Sequence, residues 1–333
     1  MTDTASHLAG AAIGADPVPP RASRAANRGA GQGDAIFALL CRAAGVLVLL
    51  LLSAIIVELF LGGLPAFRAF GAGFLTNTDW DPVQEVFGAG VPVYGTLLTA
   101  VLALIMAVPV AFGIAFFLTE LAPAWLKRPV GTAIELLAAV PSIIYGMWGF
   151  FVIVPIMAST IQPAVIDTLG EVPGIGMFFS GAPFGTGLFT AALILAIMIL
   201  PFVAATMRDV FEQVPAVYKE SAYGLGATTW EVMRGVVLPY TRISVVGGIM
   251  LGLGRALGET MAVTFVIGNA NRITPSLFGP GNTIASIVAL EFGEASAGSL
   301  KLSALLALGF ILFVISFAVL ALSRWLLRSR LKG

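Results

Sequence analysis

Arg255 and Glu259 stand four residues apart in the middle of Ile243 to Gly268, ISVVGGIMLGLGRALGETMAVTFVIG, a stretch otherwise apolar and long enough to cross a bilayer. A charged side chain at the centre of a membrane costs about 2.5 to 3.5 kcal/mol on insertion scales, so such residues usually face a polar interior and mark an ion or substrate path. On a continuous helix the i, i+4 spacing puts both on one face, where they can neutralise each other. Two readings follow from the residue types. A guanidinium is a planar fork of donors that fits a tetrahedral oxyanion, whereas a buried Arg/Glu pair can simply staple two helices together. Other reactive chemistry is sparse. The single histidine is His7 and the single cysteine is Cys41, so histidine catalysis, a His/Cys metal site and an intramolecular disulfide are not expected. The run from Gly252 to Gly258, GLGRALG, is a loose match to a phosphate loop, but it is apolar and the chain contains no GxxxxGK[ST]. No catalytic residue or metal ligand is assigned, and any ATP hydrolysis must be supplied by another subunit.

These residues need elements to hold them, and composition says what kind. Of 333 residues, 58% are hydrophobic and 11% charged, with a mean hydropathy of +0.98. Such usage lies far from that of soluble domains and predicts an all-α integral membrane protein. Six segments reach the roughly 20 apolar residues a spanning helix needs: Ala35 to Leu61, Tyr94 to Leu118, Ile134 to Met157, Thr186 to Met207, Ile243 to Gly268 and Ser303 to Leu327. They lack the alternation of barrel strands. Basic residues gather in the N-terminal tail (Arg21, Arg24, Arg28), at Arg42, at Lys127 and Arg128, between spans four and five (Arg208, Lys219, Arg234, Arg242) and in the C-terminal tail (Arg324, Arg328, Arg330, Lys332). The opposite loops hold Arg68, Arg272 and Lys301 among seven carboxylates, Asp79, Asp81, Glu85, Asp167, Glu171, Glu291 and Glu294. By the positive-inside rule both termini are therefore expected in the cytoplasm. Residues 1–34, rich in Ala, Gly, Pro and Arg, read as a disordered cytoplasmic tail, and residues 35–333 as a six-helix membrane domain. Membrane lipid is the expected surround, and no nucleic-acid partner is expected.

Outward loops over Gly62 to Val93, Ala158 to Gly185 and Asn269 to Leu302 exceed the usual connection of about 4 to 6 residues and read as packed external turns that a partner protein could meet. Pro109, Pro141 and Pro201 are expected to kink spans two, three and four. In the fifth span Gly248/Gly252 and Gly254/Gly258 form small-xxx-small pairs, the pattern of a close helix interface.

The inward loop at about 208–240 contains VPAVYKESAYGLGATTWEVMRGVVLP, Val214 to Pro239. Helical spacing on both sides of Gly224-Leu225-Gly226 predicts two short helices around a glycine turn, with Lys219, Glu220, Thr228, Thr229, Glu231 and Arg234 available for a docking face. Glu220, Ser221 and Ala222, then Gly226, then after nine intervening residues Val236-Val237-Leu238-Pro239, closely resemble the EAA loop of membrane subunits of ABC importers, EAAxxxG followed by I-x-L-P. Ser221 and Val236 are mild departures. Gly247 through Asn269, GGIMLGLGRALGETMAVTFVIGN, and Leu290 to Ala295, LEFGEA, sharpen the likeness to PstC-type permeases of bacterial phosphate importers, over the chain from about Ala35 onward.

That resemblance implies the MetI-like architecture of type I ABC importers and a place in the bacterial inner membrane. The implied function is ATP-driven phosphate import by alternating access. It implies a PstA-like sister permease, two PstB-like ATPase subunits carrying ATP and Mg, and a PstS-like periplasmic phosphate-binding protein, with no cofactor on this chain. Glu220, Ser221, Ala222, Gly226, Leu238 and Pro239 then belong to the ATPase-coupling loop, and Arg255 and Glu259 to the substrate path. Another tetrahedral oxyanion (sulfate, molybdate, a phosphonate) and a stand-alone anion channel or secondary transporter remain alternatives.

Overall fold

The computed structural model describes residues 28–329, with side chains from 33 to 325. Most of the expected disordered tail, with His7, and the extreme C-terminal basic residues lie outside that range. From Arg28 the chain is helix, seven residues before the expected start of the first span.

Ten helices, numbered in chain order with single turns left unnumbered, organise the described residues. They are α1 (Arg28–Phe70), α2 (Gly90–Leu121), α3 (Ala124–Ala138), α4 (Ser142–Leu169) and α5 (Leu188–Glu212). The chain continues through α6 (Ala216–Gly224), α7 (Thr229–Leu257), α8 (Met261–Val266), α9 (Ile284–Glu291) and α10 (Leu300–Ser329). Six of them, α1, α2, α4, α5, α7 and α10, are long and apolar enough to cross a membrane. Among the described residues the only strand-like pairing is one isolated bridge, Asp81 with Val86.

The chain divides after Ala54, within α1. The first unit, so far as it is described, is helix whose side chains from Gly33 to Ala54 are all exposed. An apolar helix with no buried face is suited to hydrocarbon rather than water.

The second unit is built around α5, the most buried of the spans. Its closest neighbour is α2, where Ala100, Ala103, Ala107, Ala111 and Ala115 recur every three or four residues and are all buried. A stripe of methyl groups lets two backbones approach closely, and close approach is the main source of van der Waals packing when lipid offers no hydrophobic drive. Gly62 and Gly63 do the same for the second half of α1 against α10, where a methyl on Gly63 would meet the Ala307 backbone at 2.8 Å. On the side away from α6, Trp80 donates its indole N–H to the Glu291 carboxylate at 3.0 Å, and Lys301 pairs with Glu291 at 3.1 Å. These two contacts tie the loop after α1 to α9 and α10.

Four expectations need correction. Pro109 and Pro201 lie inside α2 and α5 as expected, but Pro141 does more than kink. The third segment is broken at Ala139–Pro141 into α3 and α4, because a residue before proline is pushed out of helical geometry. The span therefore runs Ser142–Leu169 rather than from Ile134. The fifth segment likewise ends at Leu257 instead of continuing to Gly268. Finally, the long outward loops are partly helical: Gly62 to Phe70 belongs to α1, Ala158 to Leu169 to α4, and α9 lies within Asn269 to Leu302.

Candidate functional site

The fifth crossing stops at the charged pair. Gly258 closes α7 with φ −94° and ψ 3°, Glu259 and Thr260 are non-helical, and α8 begins at Met261. Arg255 is in the last turn of α7 and is exposed; Glu259 is half-buried. The expected neutralisation does not occur: among the described residues no ion pair joins Arg255 to Glu259 within the 4.0 Å limit of such a contact. The i, i+4 argument required an unbroken helix, and the break removes it. Glu259 Oε1 instead accepts the Ala262 backbone N–H at 3.2 Å, occupying one of the donors that the first turn of α8 cannot bond internally.

Glycine contacts fix the depth of the break. A methyl on Gly248 would lie 2.7 Å from Thr206 Cγ2, and one on Gly252 2.7 Å from Val203 Cγ2. Advancing along α7 therefore means retreating along α5, and the two run antiparallel. Continued at 1.5 Å per residue, that register sets Arg255 level with about residue 200, the midpoint of Leu188–Glu212. The cation is thus near mid-depth of the most buried span.

The break in the third segment lies alongside. A methyl on Gly146 would meet Ala262 Cα at 2.9 Å, and one on Gly149 would meet both Ile194 Cδ1 at 2.8 Å and Val266 Cγ1 at 3.3 Å. So α4 and α8 run side by side in the same direction, and Pro141, about one turn before Gly146, falls near the level of Gly258. Tyr145 bridges the third-segment break: its hydroxyl donates at 2.8 Å to the Leu137 carbonyl, which also accepts the Val140 backbone N–H at 3.3 Å. Pro141 is the sequence signal for the break in the third segment, whereas nothing announced Tyr145 or the break at Gly258–Thr260.

Of the two short helices expected between α5 and α7, one forms as such, α6; the other is the opening of α7 itself, which runs from Thr229 to Leu257. The first piece, α6, ends at the turn where Gly226 takes φ +87°, a conformation that costs a residue with a Cβ about 1 to 2 kcal/mol. Thr228 then starts α7 with a capping box: its backbone N–H donates to Glu231 Oε2 at 2.7 Å, and Glu231 N–H donates to Thr228 Oγ1 at 3.4 Å. Glu220, Ser221, Gly226 and Pro239 are exposed, whereas Ala222 and Leu238 are half-buried. Lys219 does not join the docking face expected of it. It turns inward to Glu120, with Nζ 2.6 Å from Oε1.

Gly248 and Gly252 are buried against α5, while a methyl on Gly254 would meet nothing within 4 Å and one on Gly258 only its own helix. The first small-residue pair is therefore used inside this chain, and the second lies on the open face that carries Arg255.

The pattern of the family described as "Binding-protein-dependent transport system inner membrane component" matches residues 107–332. The "Phosphate transport system permease protein PstC" of Pasteurella multocida is 61% identical over 294 residues, covering 88% of this chain and 91% of that protein. Its counterpart in Haemophilus influenzae is 60% identical over 293 residues, covering 88% and 90%. A solved bacterial ABC transporter involved in alginate import superposes with a TM-score of 0.52 at 15% identity, over 86% of this chain and 96% of that one, a likeness of fold. The six candidate spans, the segment Glu220 to Pro239 and the extent of these matches lead to one conclusion: this chain belongs to the family of inner membrane components of binding-protein-dependent transport systems.

Proposed function

We propose that the chain is one permease half of an ATP-driven importer that carries inorganic phosphate across the bacterial cytoplasmic membrane. The substrate class follows the phosphate permeases that are 60% or more identical to this chain over 88% of its length. The observation that carries the mechanism is Arg255: an exposed cation near mid-depth, at a helix break, with no carboxylate among the described residues on it. Phosphate is a mono- and dianion at neutral pH, and a guanidinium offers it two parallel donors. Glu259, held by the α8 backbone, adds a negative charge nearby that keeps the grip loose enough for release.

The remaining parts follow from that role. Both termini and α6 lie in the cytoplasm, where Glu220, Ser221, Ala222 and Gly226, backed by Leu238 and Pro239, receive a PstB-like ATPase subunit holding ATP and Mg. A PstA-like permease covers the open face of α7 at Gly254 and Gly258, and a PstS-like binding protein delivers phosphate from outside. Closure of two ATPase subunits moves α6, and the broken third and fifth crossings expose Arg255 first outward and then inward. No covalent step takes place on this chain.

Labelled-phosphate uptake into vesicles holding the full complex tests this reading. Uptake needs ATP inside and binding protein outside, and sulfate or molybdate in excess does not compete. Undiminished uptake by an assembled Arg255→Gln complex rules out the substrate-path role.

A further inference from the structure

The residues of α6 do not all face one way. Val217, Tyr218, Glu220, Ser221 and Tyr223 are exposed, whereas Lys219 and Ala222, three apart and so on one helical face, turn toward the bundle. Lys219 Nζ lies 2.6 Å from Glu120 Oε1 and 3.5 Å from the carbonyl oxygen of Phe211. Both side chains are largely withdrawn from solvent, Glu120 to 7% and Lys219 to 18% exposure. Glu120 sits in the π-helical turn Phe117–Leu121 that ends α2, and Phe211 in the last turn of α5. A single ammonium thus holds α6 to the ends of two membrane helices.

Stability does not account for charges in this position. Apolar side chains of similar volume are often as good or better than a buried ion pair, while loss of one partner is costly because the other charge is orphaned. What the pair supplies is a directional link: a shift of α6 must either draw Glu120 with it or separate two poorly solvated charges. A second grip falls on the same helix. Trp230, beyond the Gly226 turn, packs edge-on to Phe112 and Phe116 of α2, with ring centroids 6.5 and 5.8 Å apart. The segment that would be pushed by an ATPase is therefore fastened at two points to α2, and α2 carries the alanine stripe packed against α5. The π-helical turn at Glu120 is a local departure from α-helical hydrogen bonding of the kind that recurs at functional sites.

We propose that the Lys219–Glu120 pair is the strap that passes displacement of α6 to α2, making both of them positioning residues for the transport step. The inference rests on the coupling role proposed for α6.

The test uses the complete complex in vesicles, with ATP hydrolysis and labelled-phosphate import measured on the same preparation. Glu120→Gln is expected to keep its ATPase subunits and to hydrolyse ATP, while phosphate moved per ATP falls about tenfold, equivalent to about 1.4 kcal/mol of lost coupling. The exchanged pair, Glu120→Lys with Lys219→Glu, is expected to restore most of that ratio. Since an orphaned Lys219 can block assembly, the apolar pair Glu120→Leu with Lys219→Met is measured as well, and a low ratio there again supports the strap. A wild-type ratio in the assembled Glu120→Gln or apolar variant, even with a lowered melting temperature, leaves only a static staple and overturns it. Gly226→Val serves as the control for the underlying role: if it uncouples while the Glu120 variants do not, the strap alone fails, and if it too is fully coupled, the coupling role falls and the strap with it.

Discussion

Arg255 is the residue on which the substrate path and the helix-staple reading make opposite forecasts. A staple requires a partner, and removal of one member of a buried pair costs about 3 to 5 kcal/mol. Arg255 has no ion-pair partner among the described residues and is exposed, so Arg255→Gln orphans no carboxylate. The expected shift in stability is within about 0.5 kcal/mol, read as an almost unchanged melting temperature of the purified complex. Uptake, by contrast, is expected to fall at least about tenfold, and Arg255→Lys to recover only part of it, because an ammonium lacks the bidentate fork. A large drop in melting temperature matched by the drop in uptake favours the staple. The adjacent glycines separate in the same way. A side chain at Gly252 runs into Val203, so Gly252→Leu is expected to destabilise by about 1 to 3 kcal/mol. A methyl at Gly254 meets nothing within 4 Å among the described residues, and any loss of assembly caused by Gly254→Ala reports a contact made by a second permease.

At the scale of elements, the spans were readable and their interruptions were not. Twenty apolar residues in a row are a local signal that survives whatever the rest of the chain does, and all six segments hold a span at roughly the place hydropathy gives. The break at Ala139–Pro141 is flanked by apolar residues on both sides, so hydropathy joins α3 to α4, and Gly258–Thr260 is hidden in the same way inside LGLGRALGETMAVTFVIG. The pairing of Arg255 with Glu259 failed for that reason alone: the spacing was right and the helix was not continuous. The glycine turn between α6 and α7 was legible because its chemistry is conformational. Gly226 takes φ +87° with open space around it, so the cost of a substitution there is backbone strain rather than a clash. Gly226→Asn, which tolerates the left-handed region, is therefore expected to retain more ATPase association than Gly226→Val, whose β-branched side chain does not. Equal retention by the two variants, measured as ATPase subunit co-purified per permease, shows that the turn conformation does not matter for docking. Lys219–Glu120 joins residues 99 apart in sequence, and no local pattern announces it.

At the scale of the whole molecule, the proposed function has the second unit supply one side of a pathway rather than a closed one. Arg255 and Gly254 share a face of α7 that the described part of this chain does not cover, whereas Gly248 and Gly252 a turn or two away are sealed against α5. A stand-alone channel or secondary transporter has to surround its substrate with its own helices, because hydrocarbon against an anion path leaves the charge without solvation. An importer half needs a second half to complete the wall. The purified chain reconstituted alone is therefore expected to move no more labelled phosphate than protein-free vesicles do, with or without a membrane potential or a proton gradient. Adding a sister permease alone closes the wall without supplying a driving force, and uptake against a gradient is expected only when the ATPase subunits, internal ATP and loaded binding protein are all present. Deletion of Glu220 to Gly226 is expected to remove the ATPase subunits from the purified complex while leaving the two permeases together, since the open face of α7 and the exposed surface of α6 are separate parts of the chain. Concentrative uptake by the chain alone, or by the loop-deleted complex, contradicts this arrangement and returns the alternative of a self-sufficient transporter.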